Sequence, residues 1–402
     1  MAYITPPMTG WLADWANLLL RWTHFIAGIA WIGSSFYFIW LDRALTKPAL
    51  PRPGVEGDLW MVHSGGFYQV EKRRPGPGEV PPVLHWFKWE AMLTWLTGIA
   101  LLILVFYLSG AYLLDPGISR ISRGAATALG IGLVILSWPV YDGLWRSPLC
   151  KRPAIATAVS LALLTGLTVL ACHFLSGRAA FMHVGAVLGT LMVANVWERI
   201  LPAQQQMLAA TRAGRAADFT LGERAKQRSV HNSYMTFPLL FIMLSNHFPA
   251  TYASPYNWLV LLLLFVAGAA VRHAMIGRGV SSRWALAPAA VALAGAMFFS
   301  TPKGAAARQT AATDSVPSFA TVRAVITQRC QPCHSQYQTD RSFGPAPGGV
   351  TFDTPESIAR LAERIRVRVV ETQTMPFANK TGMTDAERAL LGQWISTGSP
   401  LR

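Results

Sequence analysis

Cys330, Cys333 and His334 stand in the order C-x-x-C-H within TQRCQPCHSQ, residues 327–336. Two thiols three residues apart, followed at once by an imidazole, is the spacing that attaches a c-type haem. The sulfurs form thioethers with the porphyrin and the imidazole ligates the iron. A sixth ligand is then needed. Met375, in TQTMPFAN, is a methionine before a proline in an expected loop between helices, and His/Met ligation raises the reduction potential. The alternative is that Met375 is a core residue, with Met383 or no protein ligand in its place. The expected cofactor is a covalent haem c on Cys330 and Cys333, with His334 and Met375 on the iron.

Such a haem takes one electron at a time, so the rest of the chain must hold a source. Eight of the nine histidines precede it. His24 in RWTHFIAGIAWIG and His183 in AAFMHVGAVLG each sit early in an apolar run and are followed by small residues, which let a flat macrocycle lie against a helix. The expectation is a second, non-covalent haem b held by His24 and His183, with His247 as the substitute for either. The plain alternative is that these histidines hydrogen-bond between helices.

A second concentration lies at residues 63–95, HSGGFYQVEKRRPGPGEVPPVLHWFKWEAMLTW. His63, Gln69, His85, Lys88 and Glu90 occur there among Trp86 and Trp89. SVHNSYMTFP adds His231 and Asn232, and VRHAM adds Arg272. Together they suggest a pocket for a planar polar molecule, with Arg272, Gln69 or Asn232 on its edges and Trp86 or Phe67 on its face. His63, His85, His231 and Glu90 are the candidate general bases, with no ranking among them. Lys88 and Glu90 alternatively pair with each other.

The elements that position these groups are helices in a bilayer. The chain of 402 residues is 52% apolar and only 14% charged, against about a quarter charged in soluble domains. Eight apolar stretches are predicted as spans: 15–41, 86–109, 124–145, 154–175, 180–200, 231–248, 256–276 and 284–300. The sixth and eighth are the shortest against the roughly 20 residues a span needs. The first lacks the basic start and cleavage site of a signal peptide. The connections at 42–85, 146–153, 201–230 and 277–283 hold 16 Lys and Arg, and the opposite side holds 3. The positive-inside rule puts the first set in the cytoplasm and both termini outside, the side on which a c-type haem is attached. The net charge of +15 comes without a basic run interleaved with aromatics, so nucleic acid is not an expected partner. Cys150 and Cys172 read as packing residues. Residues 301–317 read as a linker. The segment 318–402 reads as a small cytochrome c domain, with a helix containing Phe319, Val322 and Ile326 before the haem motif. A capping box at Thr384 and Glu387 opens its last helix. The expected fold class is all-α, a membrane bundle plus this domain.

HSGGFYQVEK, LHWFKWEAMLTWLTG, SVHNSYMTFPLLFIMLSNH and the trailing c-type cytochrome resemble the bacterial membrane-bound urate oxidases, over essentially the whole chain. The resemblance implies a bacterial inner-membrane enzyme that oxidises urate to 5-hydroxyisourate. It further implies that electrons pass through cytochrome c toward a terminal oxidase. Without it, the residues leave two other classes open: a quinol- or haem-linked electron relay with no purine chemistry, and a transporter carrying a haem domain.

Overall fold

A computed structural model describes residues 8–80, 83–108, 113–115, 118–277, 280–301, 317–340 and 346–401. The expected linker at 301–317 therefore lies, apart from its two ends, outside the described residues.

The chain opens with α1 (Met8–Ala44), then a hairpin of β1 (Val55–His63) and β2 (Gly66–Arg73). α2 (Trp89–Leu102) runs on into a π-helical turn, Ile103–Leu108. α3 (Arg123–Arg146) and α4 (Pro153–Phe174) follow. α5 (Gly177–Ala194) continues through a second π-helical turn, Asn195–Ile200, into α6 (Leu201–Arg212). α7 (Phe219–Ser245), the short α8 (Pro249–Tyr252), α9 (Asn257–Ile276), the short α10 (Val280–Arg283) and α11 (Leu286–Ser300) complete this part. Local chemistry sets the starts. Ser122, Ser176 and Asp218 each accept a hydrogen bond from a first-turn N–H, and Pro153 stands at the first position of α4.

Six described helices are long and apolar enough to cross a membrane: Trp15–Ala44, Trp89–Leu108, Arg123–Arg146, Pro153–Phe174, Gly177–Arg212 and Asn257–Ile276. The other two expected spans form helices but differ in kind. α7 carries Glu223, Arg224, Lys226 and Arg228 in its first half, so its apolar part is short. α11 has 15 residues, a rise of about 22 Å against a hydrocarbon core of about 30 Å.

α5 is the axis of the bundle. Its apolar window is 72% buried, against 17–28% in the other five. It packs against α2, α3, α4 and α7. The outer helices instead turn large apolar side chains outward, among them Trp22, Phe25, Ile26 and Ile29 of α1. Such a surface is costly in water and costs nothing against lipid tails.

The structure is mostly helical, as an all-α bundle requires, with one hairpin added to it. Val55–His63 and Gly66–Arg73 pair antiparallel about Ser64-Gly65. Both turn residues have positive φ, 50° and 76°, as a two-residue type I′ connection requires.

The C-terminal part places α12 (Phe319–Arg329) against α15 (Asp385–Ser396), with α13 (Pro355–Arg360) and α14 (Ala362–Ile365) between them in sequence. Its core holds Val322, Ile326, Leu391 and Trp394, all fully buried. The capping box at Thr384 and Glu387 is present, and Glu387 also bonds Arg329 at 3.0 Å. Burial alone would raise the Glu387 carboxyl, but the Thr384 N–H and the Arg329 guanidinium hold it below the usual carboxylate range.

Candidate functional site

The π-helical turn Asn195–Ile200 is where polar groups from three helices meet. Such turns change the phase of a helix and are frequent at functional sites. Asn195 is fully buried. Its Nδ2 donates to the Tyr141 hydroxyl at 3.2 Å and to Asn232 Oδ1 at 2.8 Å, and Asn232 Nδ2 donates to the Met192 carbonyl at 2.9 Å. Tyr141 lies 2.6 Å from His231 Nδ1. Because its oxygen accepts from Asn195, the network assigns the tyrosine proton to that nitrogen. The His231 ring sits 4.2 Å from the Trp145 ring.

Beside this runs an ion cluster. Asp142 accepts from Arg228 Nη2 at 2.9 Å and from Arg199 Nε at 2.8 Å. The Arg228 guanidinium lies 5.0 Å over the Tyr141 ring. Arg228, His231 and Asn232, at i, i+3 and i+4, share one face of α7, as Trp138, Tyr141, Asp142 and Trp145 share one of α3. The cluster is not saturated. Among the described residues, Asn195 Oδ1 and Arg228 Nη1 are buried with no hydrogen-bond partner. So are Trp197 Nε1, in the same π turn, and Glu90 Oε2 at the start of α2. Buried polar atoms are nearly always paired, so these atoms leave hydrogen-bonding capacity open to water or to a ligand.

Of the residues expected to form a pocket, His231 and Asn232 are within this network. Lys88 lies nearby, its Nζ 5.4 Å from the Trp89 ring and 5.6 Å from that of Trp197. No ion pair joins it to Glu90 among the described residues. Lys88 also lines a cleft of about 420 Å³ with Trp86, Gln205 and Arg212. The rest are not brought in. Arg272 is buried on α9, donating to Ser233 Oγ at 2.7 Å and lying 4.3 Å over Phe36, and its Nη2 is also without a hydrogen-bond partner among the described residues. His63 is exposed beside Ser64 at the hairpin turn, and His85 is exposed against Phe87. The sequence reading missed Tyr141, Asp142, Asn195, Arg199 and Arg228. Asp142 and Arg199 had a signal, being ionisable groups in apolar helices. Asn195 and Tyr141 had none.

The histidines expected to hold a haem b are not arranged for it. His183 is fully buried, with Nδ1 2.7 Å from the Ala179 carbonyl and Nε2 2.9 Å from the Tyr107 hydroxyl. A Cβ at Gly130 would stand 2.5 Å from that Nε2, so α3 packs closely against the ring. His24 is held at another interface, its Nδ1 2.8 Å from the Thr94 carbonyl and 3.1 Å from Thr97 Oγ1. Both make the interhelical bonds of the plain alternative. His247 is exposed and lines a different cavity.

That cavity, of about 420 Å³, is lined by Cys330, Cys333, His334 and Met375, with Val350, Phe352 and Leu361 as apolar walls and Arg364 and Arg368 as cations. His334 Nδ1 donates to the Val350 carbonyl at 3.0 Å, which orients the ring and leaves Nε2 for a ligand. Met375 reaches the cavity, whereas Met383 is 3% exposed inside the domain core and does not line it. Burial pushes the Cys330 thiol up to about 12 and the Cys333 thiol upward too. Burial also lowers His334, so its imidazole is neutral and able to coordinate. Two thiols, an imidazole nitrogen, a thioether, apolar walls and two arginines suit a covalently held haem.

A family model described as urate oxidase, N-terminal, matches residues 10–301, from α1 through α11 and short of the C-terminal domain. No curated protein and no solved structure matches the chain.

Proposed function

We infer the function from one premise: the chain belongs to the urate oxidase N-terminal family. The proposed activity is membrane-bound oxidation of urate to 5-hydroxyisourate. Urate and water give 5-hydroxyisourate, two protons and two electrons. The observation that carries the reading is the set of unpaired buried atoms at the π turn. Urate is a planar anion whose edge alternates N–H donors and carbonyl acceptors. Arg228 Nη1 suits its charge, Asn195 Oδ1 suits a ring N–H, and Trp145 with Tyr141 offers aromatic walls. The proton released on attack by water passes through the Tyr141 hydroxyl to His231 Nδ1, its hydrogen-bonded acceptor.

The two electrons leave one at a time toward the C-terminal domain, the second after the onward acceptor has reoxidised the haem. There Cys330 and Cys333 would hold a haem and His334 and Met375 would ligate its iron, and such a haem would supply one-electron transfer. The onward acceptor is a cytochrome c or terminal oxidase. Six apolar helices and the Lys and Arg bias support the reading of a bundle in the bacterial inner membrane with the C-terminal domain outside. The connections counted as outer, 176–179 and 249–255, lie at the end of the bundle that meets that domain.

The test is anaerobic addition of urate, and separately of quinol, to purified protein while the c-haem bands are followed. Reduction by urate, lost in His231→Gln with haem content intact, is the expected result. Reduction by quinol alone would make the chain an electron relay.

A further inference from the structure

The cleft around Cys330, Cys333, His334 and Met375 is not closed by the C-terminal domain alone. Arg178, Asn246, His247 and Tyr252, all from one end of the membrane bundle, line the same cavity. Arg178 is held firmly. It is the second residue of α5, and Ser176 caps that helix while its N–H donates to the Leu113 carbonyl at 3.0 Å. Gly177 lies so close to the Tyr252 carbonyl that no Cβ would fit there. Arg178 Nε donates to Asn246 Oδ1 at 2.8 Å, and Asn246 Nδ2 contacts Met182 Sδ at 2.9 Å. From that position the guanidinium lies 5.9 Å from the ring centroid of Phe377, two residues beyond Met375.

We propose that Arg178 is a positioning residue for the haem. It docks the end of the bundle onto the Met375–Phe377 segment and places a fixed positive charge at the bundle-facing edge of the haem. The membrane bundle thus completes the cofactor's surroundings, and this face is where electrons cross from the bundle. The inference rests on the reading that the C-x-x-C-H segment carries a haem.

The physical consequence is directional. A cation beside a centre that gains an electron favours the reduced state, and local charge and burial are the protein's means of tuning a haem. Asn246, which fixes the guanidinium, belongs to the same device. Arg178→Lys keeps the charge but loses the planar group that stacks on Phe377 and bonds Asn246.

The experiment uses the full-length protein in detergent, with Arg178→Ala, Arg178→Lys and Asn246→Ala. Mass spectrometry of wild type first establishes the covalent haem. Its absence overturns the haem reading itself. With haem present, the midpoint potential is measured by spectroelectrochemical titration, and haem reduction is timed with urate and with ascorbate. Arg178→Ala is expected to keep its haem, to shift the potential downward, and to slow reduction by urate but not by ascorbate. Arg178→Lys should recover the potential more fully than the urate-driven rate. Asn246→Ala should fall between. Wild-type potential and wild-type urate-driven rate in Arg178→Ala overturn the proposal while leaving the haem in place. An ascorbate-driven rate that falls in parallel also overturns it, because the defect then lies within the haem domain.

Discussion

Asp142→Ala tests the polar cluster most directly, because Asp142 is the anion that balances two guanidiniums inside the bundle. The side chains of Asp142 and Arg228 are 8% and 6% exposed. Arg199 is 33% exposed and Arg146, 3.8 Å away, is 68% exposed, so both can fall back on water. Arg228 cannot. At 2.9 Å and an effective dielectric of about 20, the Asp142–Arg228 attraction is about 6 kcal/mol before desolvation is subtracted. Removing one partner of a buried pair strands the other, at a net cost of about 3–5 kcal/mol. Asp142→Asn keeps the volume and one acceptor, which recovers about 1 kcal/mol of that loss. The double variant Asp142→Leu/Arg228→Met removes both charges and should regain most of the stability, while losing reduction by urate because the anion-binding guanidinium is gone. The assay is thermal unfolding in detergent, followed by labelling of the buried Cys172 with a thiol-reactive fluorophore, with the partly exposed Cys150 as baseline. A midpoint for Asp142→Ala equal to wild type refutes the reasoning. So does a double variant no more stable than Asp142→Ala, since the cost would then not come from a stranded charge.

Four further outcomes are expected. His231→Gln should slow urate-driven haem reduction by about 10²–10⁴-fold, the usual worth of a positioned base, with haem content and fold unchanged by absorption and gel filtration. Met375→Ala should leave the haem attached, lower its potential and abolish the methionine-to-iron charge-transfer band. Met383→Ala should keep the band and cost about 2–5 kcal/mol of domain stability, as truncation of a buried methionine does. The Glu387 carboxyl is depressed in the folded state, so its contribution is present above the unfolded value of about 4.3 and is lost as pH falls through the folded value. Acid titration of the haem bands in Glu387→Gln should lack that component, and an unchanged profile would show that the Arg329 contact contributes nothing.

What was legible in the sequence is what is local. C-x-x-C-H needs only five consecutive residues, and the Thr384–Glu387 box only four. The six long apolar helices follow from runs of about twenty residues. The hairpin was equally local. Two strand-like runs flank Ser64-Gly65, a two-residue turn of the kind that makes a hairpin, within a connection whose charge is its more conspicuous feature. The composition of the 63–95 stretch did mislead, because closeness in sequence is not closeness in space once a hairpin turns His63 outward and α2 carries Lys88 and Glu90 inward. Only the tertiary structure decided the site. Asn195, Tyr141 and Arg228 come from three helices, with up to 87 positions separating Tyr141 from Arg228, and their meeting depends on how each helix is rotated about its axis. The π turn at Asn195–Ile200 resets that rotation midway along a helix whose apolar pattern gives no sign of it. For the same reason His24 and His183 look alike in sequence yet face different neighbours. His24 bonds Thr94 of α2, and His183 bonds Tyr107 in the π-helical turn that continues the same helix, so each meets a different stretch of it.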